Sequence, residues 1–523
     1  MSETKKRCAI VGAAVSGLPS ARWAIEYGYE PVIFERLNQI GGLWRYNPNQ
    51  FENDLASVMK FTVIDTSKEM NAYSDFPPPD HFANYMHNTK MIEYLELYTK
   101  HWNLDKYIRY RNTVTSVIRA DDYEESGSWT VYWVDENGHN KQEKFDCVLL
   151  AQGHHAKPKI ISFQGQELFQ GNIIHSHEYK DSKNFEDMVN VVVGVGNSGM
   201  DLSVELGIEN ICSDYATTRF KCCFWDVWLP QSLRSWLIIN QLQKRFDHAK
   251  YGICPKHSFY GQHATISDDL PTRIITGAVV VKPDIREFTI KGIIWADGTQ
   301  TDNIDNVVMC TGYHFDFNLV EEGKLIPVKD NQARLYKNVF PPTLAKWNSL
   351  AIIGLVQPSG SILPAAEFQA RLFFAALTGE TKLPSGPEME QEVDQYQAWL
   401  AKTFVKSTRH TIEVDCVLYM DSIAELLDCK PQPMDYIFSD PRLAYALLFG
   451  PNVSYVYRLR GHKTWDGARD AILGVKKRTE ICLTERKIDK ENHILDSNLA
   501  WSLMMSGSIG IIILMVIIKI IFL

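Results

Sequence analysis

Short apolar runs that stop at glycine, each followed by a helix-length stretch, recur along most of this 523-residue chain. Cys8–Val11 reads as a buried strand, and the turn Gly12, Ala13, Ala14, Val15, Ser16, Gly17 after it leads into a helix. Pro31–Phe34 is a second strand, ending at Glu35. Alternation at Thr113–Ile118, Trp129–Val134 and Phe145–Leu150, with Asn137 and Gly138 as a turn, predicts an antiparallel meander. Val189–Val193, then Gly194–Gly199, then a helical Met200–Leu206 repeat the strand, turn and helix of the beginning. Pro230–Tyr251 reads as an inserted helical segment, either a lid or a membrane-facing surface. Val307–Met309 and Leu350–Gly354 are further strands, Pro364–Leu377 is a helix carrying Glu367, Gln369 and Arg371, and Pro384–Pro387 is a linker into a polar, helical region. Two small-residue stops, Ala151-Gln152-Gly153 and Cys310-Thr311-Gly312-Tyr313, are expected to mark the exit of the chain from its first domain and its return.

The two glycine turns carry the chemistry. A glycine turn between strand and helix aims free backbone N–H groups at an anion, most simply a dinucleotide pyrophosphate. Glu35 falls near the ~20-residue spacing of a ribose-binding carboxylate, which suits a free ribose hydroxyl and repels a 2′-phosphate. The first nucleotide is therefore FAD or NAD. Ala14 replaces the glycine at which backbone and pyrophosphate approach most closely, so its methyl group competes for phosphate space. Gly41, Gly42, Leu43 and Trp44 form a second close-approach turn, whose indole covers the cofactor or belongs to the core. In the second unit Gly194, Gly196, Asn197, Ser198 and Gly199 satisfy GxGxxG in full, followed by Met200 and Asp201. Arg219 stands near the same ~20-residue spacing beyond Gly199 and is expected to accept a 2′-phosphate, which points to NADPH.

Composition narrows the partners. Forty-five per cent of residues are hydrophobic and the formal net charge is −9, which argues against nucleic acid. Ten scattered cysteines without CxxC spacing read as reduced thiols on a cytosolic face. His175 and His177 have the spacing of strand-borne ligands but no third ligand nearby, so no metal is expected. Leu499–Ile518 is uncharged and spans about 30 Å as a helix, the thickness of a hydrocarbon core, with Lys519 placed to snorkel. Lys476, Lys477, Arg478, Arg486, Lys487 and Lys490 favour keeping the preceding body cytosolic. The expectation is a tail-anchored protein without a signal peptide.

Phe169, Gly171, His175 and Tyr179 match FxGxxxHxxxY, within FQGNIIHSHEYKD. Together with GLWRY at 42–46, SKEM at 67–70, GNSG at 196–199, LPTRIITG at 270–277, CTGY at 310–313 and IGLVQPSGSILP at 353–364, the chain resembles the flavin-containing monooxygenase family. The tyrosine ending is more similar to the heteroatom-oxidising branch than to the Baeyer–Villiger branch. The resemblance implies an α/β fold of two dinucleotide-binding (Rossmann-like) domains, the NADPH domain inserted in the FAD domain, plus a C-terminal transmembrane helix on the endoplasmic reticulum. The segments expected are 1–168 and 318–445 for FAD, 169–317 for NADPH, a polar 446–498, and the anchor at 499–523. The implied reaction is oxygenation by O2 of a small nucleophile, amine nitrogen or sulfide sulfur, through a C4a-hydroperoxyflavin, with NADPH as reductant and a homo-oligomer as a possible assembly. His175 is implied to be a hinge that positions NADP, and Phe220–Tyr260 to shape substrate access. Counting back from SKEM, Asp65, between Ile64 and Thr66, stands where the family carries an asparagine that contacts NADP and the flavin. A charged aspartate there repels an oxyanion and diverts turnover to hydrogen peroxide, a protonated one can still donate, and a neighbour could take over the contact. An enzyme that oxygenates, an NADPH oxidase, and a protein that has lost FAD through Ala14 are the three readings this leaves.

Overall fold

The computed structural model describes residues 5–48, 55–204, 217–245, 247–263, 265 and 269–481. The chain divides into two compact units, Met1–Thr479 and Glu480–Leu523, and the first contains everything that follows. The expected anchor at 499–523 lies outside the described residues, among which no helix is long and apolar enough to cross a membrane.

Five parallel strands form the main sheet, in the order Leu350–Ile352, Cys147–Leu150, Arg7–Val11, Glu30–Glu35, Ile108–Tyr110. In the first four of these the central residues are apolar without alternation because both faces are covered, while the edge strand Ile108–Tyr110 is half-buried and carries Arg109. Cys8, Ile10, Ile33, Cys147 and Leu149 enter one core, and Ala9, Val11, Val32, Phe34, Val148 and Leu150 enter the other. The helix Gly17–Glu26 lies in the first core beside the helix Ile362–Leu377. Ser361 caps the latter, accepting a hydrogen bond from the Leu363 N–H at 3.2 Å, so the helix starts before Pro364. Its Glu367, Gln369 and Arg371 are fully buried and hydrogen-bonded, Arg371 through its terminal nitrogens to the Tyr457 and His462 carbonyls. Glu367 accepts from the Ser74 N–H at 2.7 Å and from the Trp23 indole at 3.2 Å. Gln369 accepts from the Gly354 N–H at 2.7 Å, which fixes the turn after Leu350–Ile352.

One expectation is corrected. The antiparallel meander is Thr113–Arg119, Trp129–Val134 and Asn140–Phe145, whereas Cys147–Leu150 belongs to the parallel sheet. Asn140–Phe145 is a polar edge strand with no apolar alternation to announce it, and the run after it is buried on both faces.

The second nucleotide unit is smaller. Asn306–Met309 lies between Asn190–Val193 and Asn172–His175, all parallel, with an antiparallel Ile285–Phe288, Ile293–Trp295, Gln300–Thr301 sheet beside them in sequence. The chain leaves the main sheet after Leu150 and returns after Met309, and the two crossings pair antiparallel, Lys157 opposite His314 and Pro158 opposite Tyr313. Gly153 and Gly312 bend these crossings with φ of 75° and 88°. Both small-residue stops thus lie where the sequence places the exit and the return.

Candidate functional site

The two glycine turns are built alike. Gly12 and Gly194 have φ of 107° and 117°, in the left-handed region that favours glycine. A β-carbon at Gly12 would stand 2.6 Å from the Ala151 carbonyl oxygen, and one at Gly194 would stand 2.5 Å from that of Cys310. One at Gly17 would reach within 1.8 Å of the Gly12 oxygen, and one at Gly199 within 2.1 Å of the Gly194 oxygen. Each turn therefore folds over the small residue ending the neighbouring strand and closes its helix onto that strand, as pyrophosphate cradles require.

In the first cradle the buried Glu35 carboxylate accepts from the Ala13 N–H at 2.8 Å and from the Leu37 N–H at 2.8 Å. Burial raises its pKa, and those two N–H groups oppose the rise. The Val15 carbonyl accepts from the Tyr73 hydroxyl at 2.9 Å. A β-carbon at Gly354 would lie 2.3 Å from the Ser16 hydroxyl, and one at Gly42 would lie 2.8 Å from the Ala14 methyl. The Ala14 methyl group thus occupies space left by a glycine of the next turn. Gly41 is tied to the cradle by its N–H, which donates to the Ala13 oxygen at 2.9 Å. In that turn Leu43 faces a cleft, while Trp44 is half-buried and packs against the core. Glycine at the sharp turn (Gly12) and at the helix packing point (Gly17), with a carboxylate at the end of the second strand, fits an adenine dinucleotide, while the Ala14 methyl group is taken up by Gly42.

The second cradle opens on a cleft of about 420 Å³ lined by Gly196, Asn197, Ser198, Gly199 and Asp201, and across it by Leu43 and Ala56–Met59 of the first unit. The Met200 N–H donates to the Gly196 oxygen at 2.9 Å and starts the helix Asn197–Val204. Asp65 is exposed at this edge, between the buried Ile64 and the half-buried Thr66, which accepts from the Asn71 amide. The Asn197 amide donates to the Asp65 carboxylate at 3.5 Å. Desolvation in the cleft, and after it the like charge of Asp65, pushes Asp201 up to about 6.

His175 ends the strand Asn172–His175, is buried, and stacks edge-on to Tyr313 with 5.3 Å between ring centres. Its Nδ1 accepts from the His177 N–H at 3.1 Å, and burial lowers its pKa to about 4, so it is neutral at pH 7. Tyr313 belongs to the crossing that returns to the main sheet, so His175 sits beside the connection between the two units.

Arg219 is corrected. It does not line the cleft but is buried, its guanidinium forked onto Asp421 and reaching Asn452 at 3.1 Å and Tyr457 at 3.3 Å. Spacing cannot place a residue across an intervening segment, and Asp421, Asn452 and Tyr457 claim this arginine from elsewhere in the chain. Other residues take part in the cleft instead: His154 and His155, which the sequence marks only as loop residues, with Lys159 and Ser176, and Ser407, Thr408 and Arg409 from the far side of the chain. No local motif marks them; the topology assembles them.

The family described as flavin-binding monooxygenase-like matches residues 5–522. The chain is 41% identical over 517 residues to flavin-containing monooxygenase 5 of Cavia porcellus, covering 94% of this chain and 96% of that one. It is 38% identical over 497 residues to the N-oxide-forming dimethylaniline monooxygenase 2 of Rattus norvegicus, covering 90% and 92%. Among solved structures it resembles S-allyl-L-cysteine S-oxygenase from Allium sativum, with a TM-score of 0.61, 22% identity, and coverage of 92% and 99%. A family match over nearly the whole length, on a scaffold with two nucleotide cradles, makes this chain a flavin-dependent monooxygenase with FAD and NADPH as cofactors, and it belongs to the flavin-binding monooxygenase-like family.

Proposed function

We propose that the chain consumes NADPH and O2 to oxygenate small compounds at an amine nitrogen or a sulfide sulfur, on a cytosolic body anchored by residues 499–523 to the endoplasmic reticulum. The observation that carries this reading is a single cleft shared by Gly196–Gly199 of the second cradle and by Leu43 and Ala56–Met59 beside the first. Such a cleft brings a nicotinamide within reach of a flavin. Two relatives are named for nitrogen and for sulfur oxygenation, which supports the substrate class. When bound, NADPH supplies a hydride and FAD the hydride acceptance and oxygen activation expected from the resemblance. The protein's part is to hold both nucleotides through Gly12–Gly17 with Glu35 and through Gly194–Asp201, and to restrict water between them. The test is turnover of the FAD-loaded chain with dimethylaniline or a simple thioether, scoring oxygenated product per NADPH consumed. A ratio near one supports oxygenation.

Asp65 supports a second reading, an NADPH oxidase that releases hydrogen peroxide. Its carboxylate is exposed at the edge of the cleft and accepts a hydrogen bond from the Asn197 amide, where the family's asparagine would offer a donor. Hydrogen peroxide equal to NADPH consumed, with no oxygenated product, selects this reading.

A further inference from the structure

With Arg219 turned away, the cleft needs another cation, and Arg409 stands in the right place. A β-carbon at Gly196 would lie 3.1 Å from an Arg409 guanidinium nitrogen. Gly196 is the middle glycine of GxGxxG, where a pyrophosphate comes nearest to the backbone. Arg409 therefore lies directly over the anion-binding face of the turn. The side chain is exposed, and among the described residues no carboxylate pairs with it. The acid that bears on it electrostatically, Glu413, is buried and already engaged by His263 at 3.0 Å and His410 at 3.4 Å.

The backbone that carries Arg409 is held in place. The Asn331 amide donates to the Thr408 oxygen at 3.3 Å, Lys159 donates to the Thr408 hydroxyl at 2.8 Å, and the Gln357 N–H donates to the Ile412 oxygen at 2.7 Å. His410, next in the chain, is buried and stacks on Phe404. An arginine without a counter-ion among the described residues, on a fixed support, over a glycine turn, is a preformed half of an ion pair whose other half is an oxyanion.

We propose that Arg409 is the cation that grips the pyrophosphate of the nicotinamide dinucleotide. It reaches the second cradle from the segment that follows Thr403, so the nucleotide ties that segment to Gly196. This rests on the reading of the second cradle as the NADP site.

The test is calorimetric titration of the full-length, FAD-loaded chain with NADP+, without turnover. A charge-assisted pair of this kind makes Arg409→Ala bind roughly 10- to 100-fold more weakly. Arg409→Lys, which keeps a point charge, should lose less. Arg409→Gln, similar in length and uncharged, is run beside the alanine variant and should follow it. Adenosine 2′-monophosphate, which has the 2′-phosphate and no pyrophosphate, should compete equally well in wild type and variant. Binding of NADP+ within threefold of wild type in both uncharged variants overturns the proposal, and so does a parallel loss for adenosine 2′-monophosphate, which would put Arg409 at the 2′-phosphate. A wild-type chain that binds no NADP+ refutes the cofactor reading, and the proposal with it.

Discussion

The methyl group of Ala14 lies against Gly42, close enough that a β-carbon on Gly42 would come within 2.8 Å of it. The alanine that departs from the glycine pattern is thus accommodated by a glycine in the next turn, where φ is 53°. Gly42→Ala should combine a clash with a strained backbone, destabilise the protein by about 1–3 kcal/mol and lower its flavin content. Adding Ala14→Gly should restore part of both losses. The ratio of flavin to protein absorbance, and the melting temperature, check this, and an additive double variant would separate the two residues.

Asp65 accepts a hydrogen bond from Asn197 at the mouth of the cleft, where an amide could donate instead. Asp65→Asn should raise oxygenated product per NADPH and lower hydrogen peroxide, by roughly tenfold in the ratio of the two, the value of one hydrogen bond of about 1.4 kcal/mol. Oxygenated product and hydrogen peroxide measured in the same reaction decide the matter.

Asp201, pushed up to about 6 by desolvation and by Asp65, gives the cleft a pH dependence. Below pH 6 it is mostly neutral; above, it adds a negative charge beside a site for an anionic dinucleotide. NADP+ affinity should therefore fall several-fold between about pH 5 and pH 7, over and above the titration of the nucleotide itself. Asp201→Asn removes that extra slope. Titrations of both proteins across the range provide the comparison.

Arg219 and Asp421 form a buried pair, and a buried pair is costly to break from one side. Arg219→Ala should destabilise the fold by about 3–5 kcal/mol, seen as a lower melting temperature, while the folded protein retains its affinity for NADP+. A selective loss of NADP+ affinity without a change in melting temperature would return Arg219 to the phosphate.

Both cradles were legible in the sequence because their constraints are local. Gly12 and Gly17, like Gly194 and Gly199, are demanded by contacts within one strand, turn and helix, and Ala151 and Cys310 mark the small residues beneath them. The polar strand Asn140–Phe145 was not legible, since an edge strand in solvent needs no apolar face. Arg409 was not legible either. It lies more than two hundred residues from Gly196, and contacts from distant parts of the chain, among them Asn331, Lys159 and the pairing of Glu413–Val414 with Gln357–Pro358, fix the segment beside the cleft. Arg219 misled because residue spacing measures distance along the chain, and Asp421, Asn452 and Tyr457 lie elsewhere along it.

The paired crossings at Lys157–Pro158 and Tyr313–His314 have a consequence for how such a protein can be assembled. Because departure and arrival are neighbours, the host sheet experiences the whole guest as one long surface loop, and the entropy of closing a loop grows only slowly with its length. Leu350–Ile352 can dock beside Cys147–Leu150 whatever is threaded between them, so the doorway admits guests of different size and leaves the host's own architecture untouched.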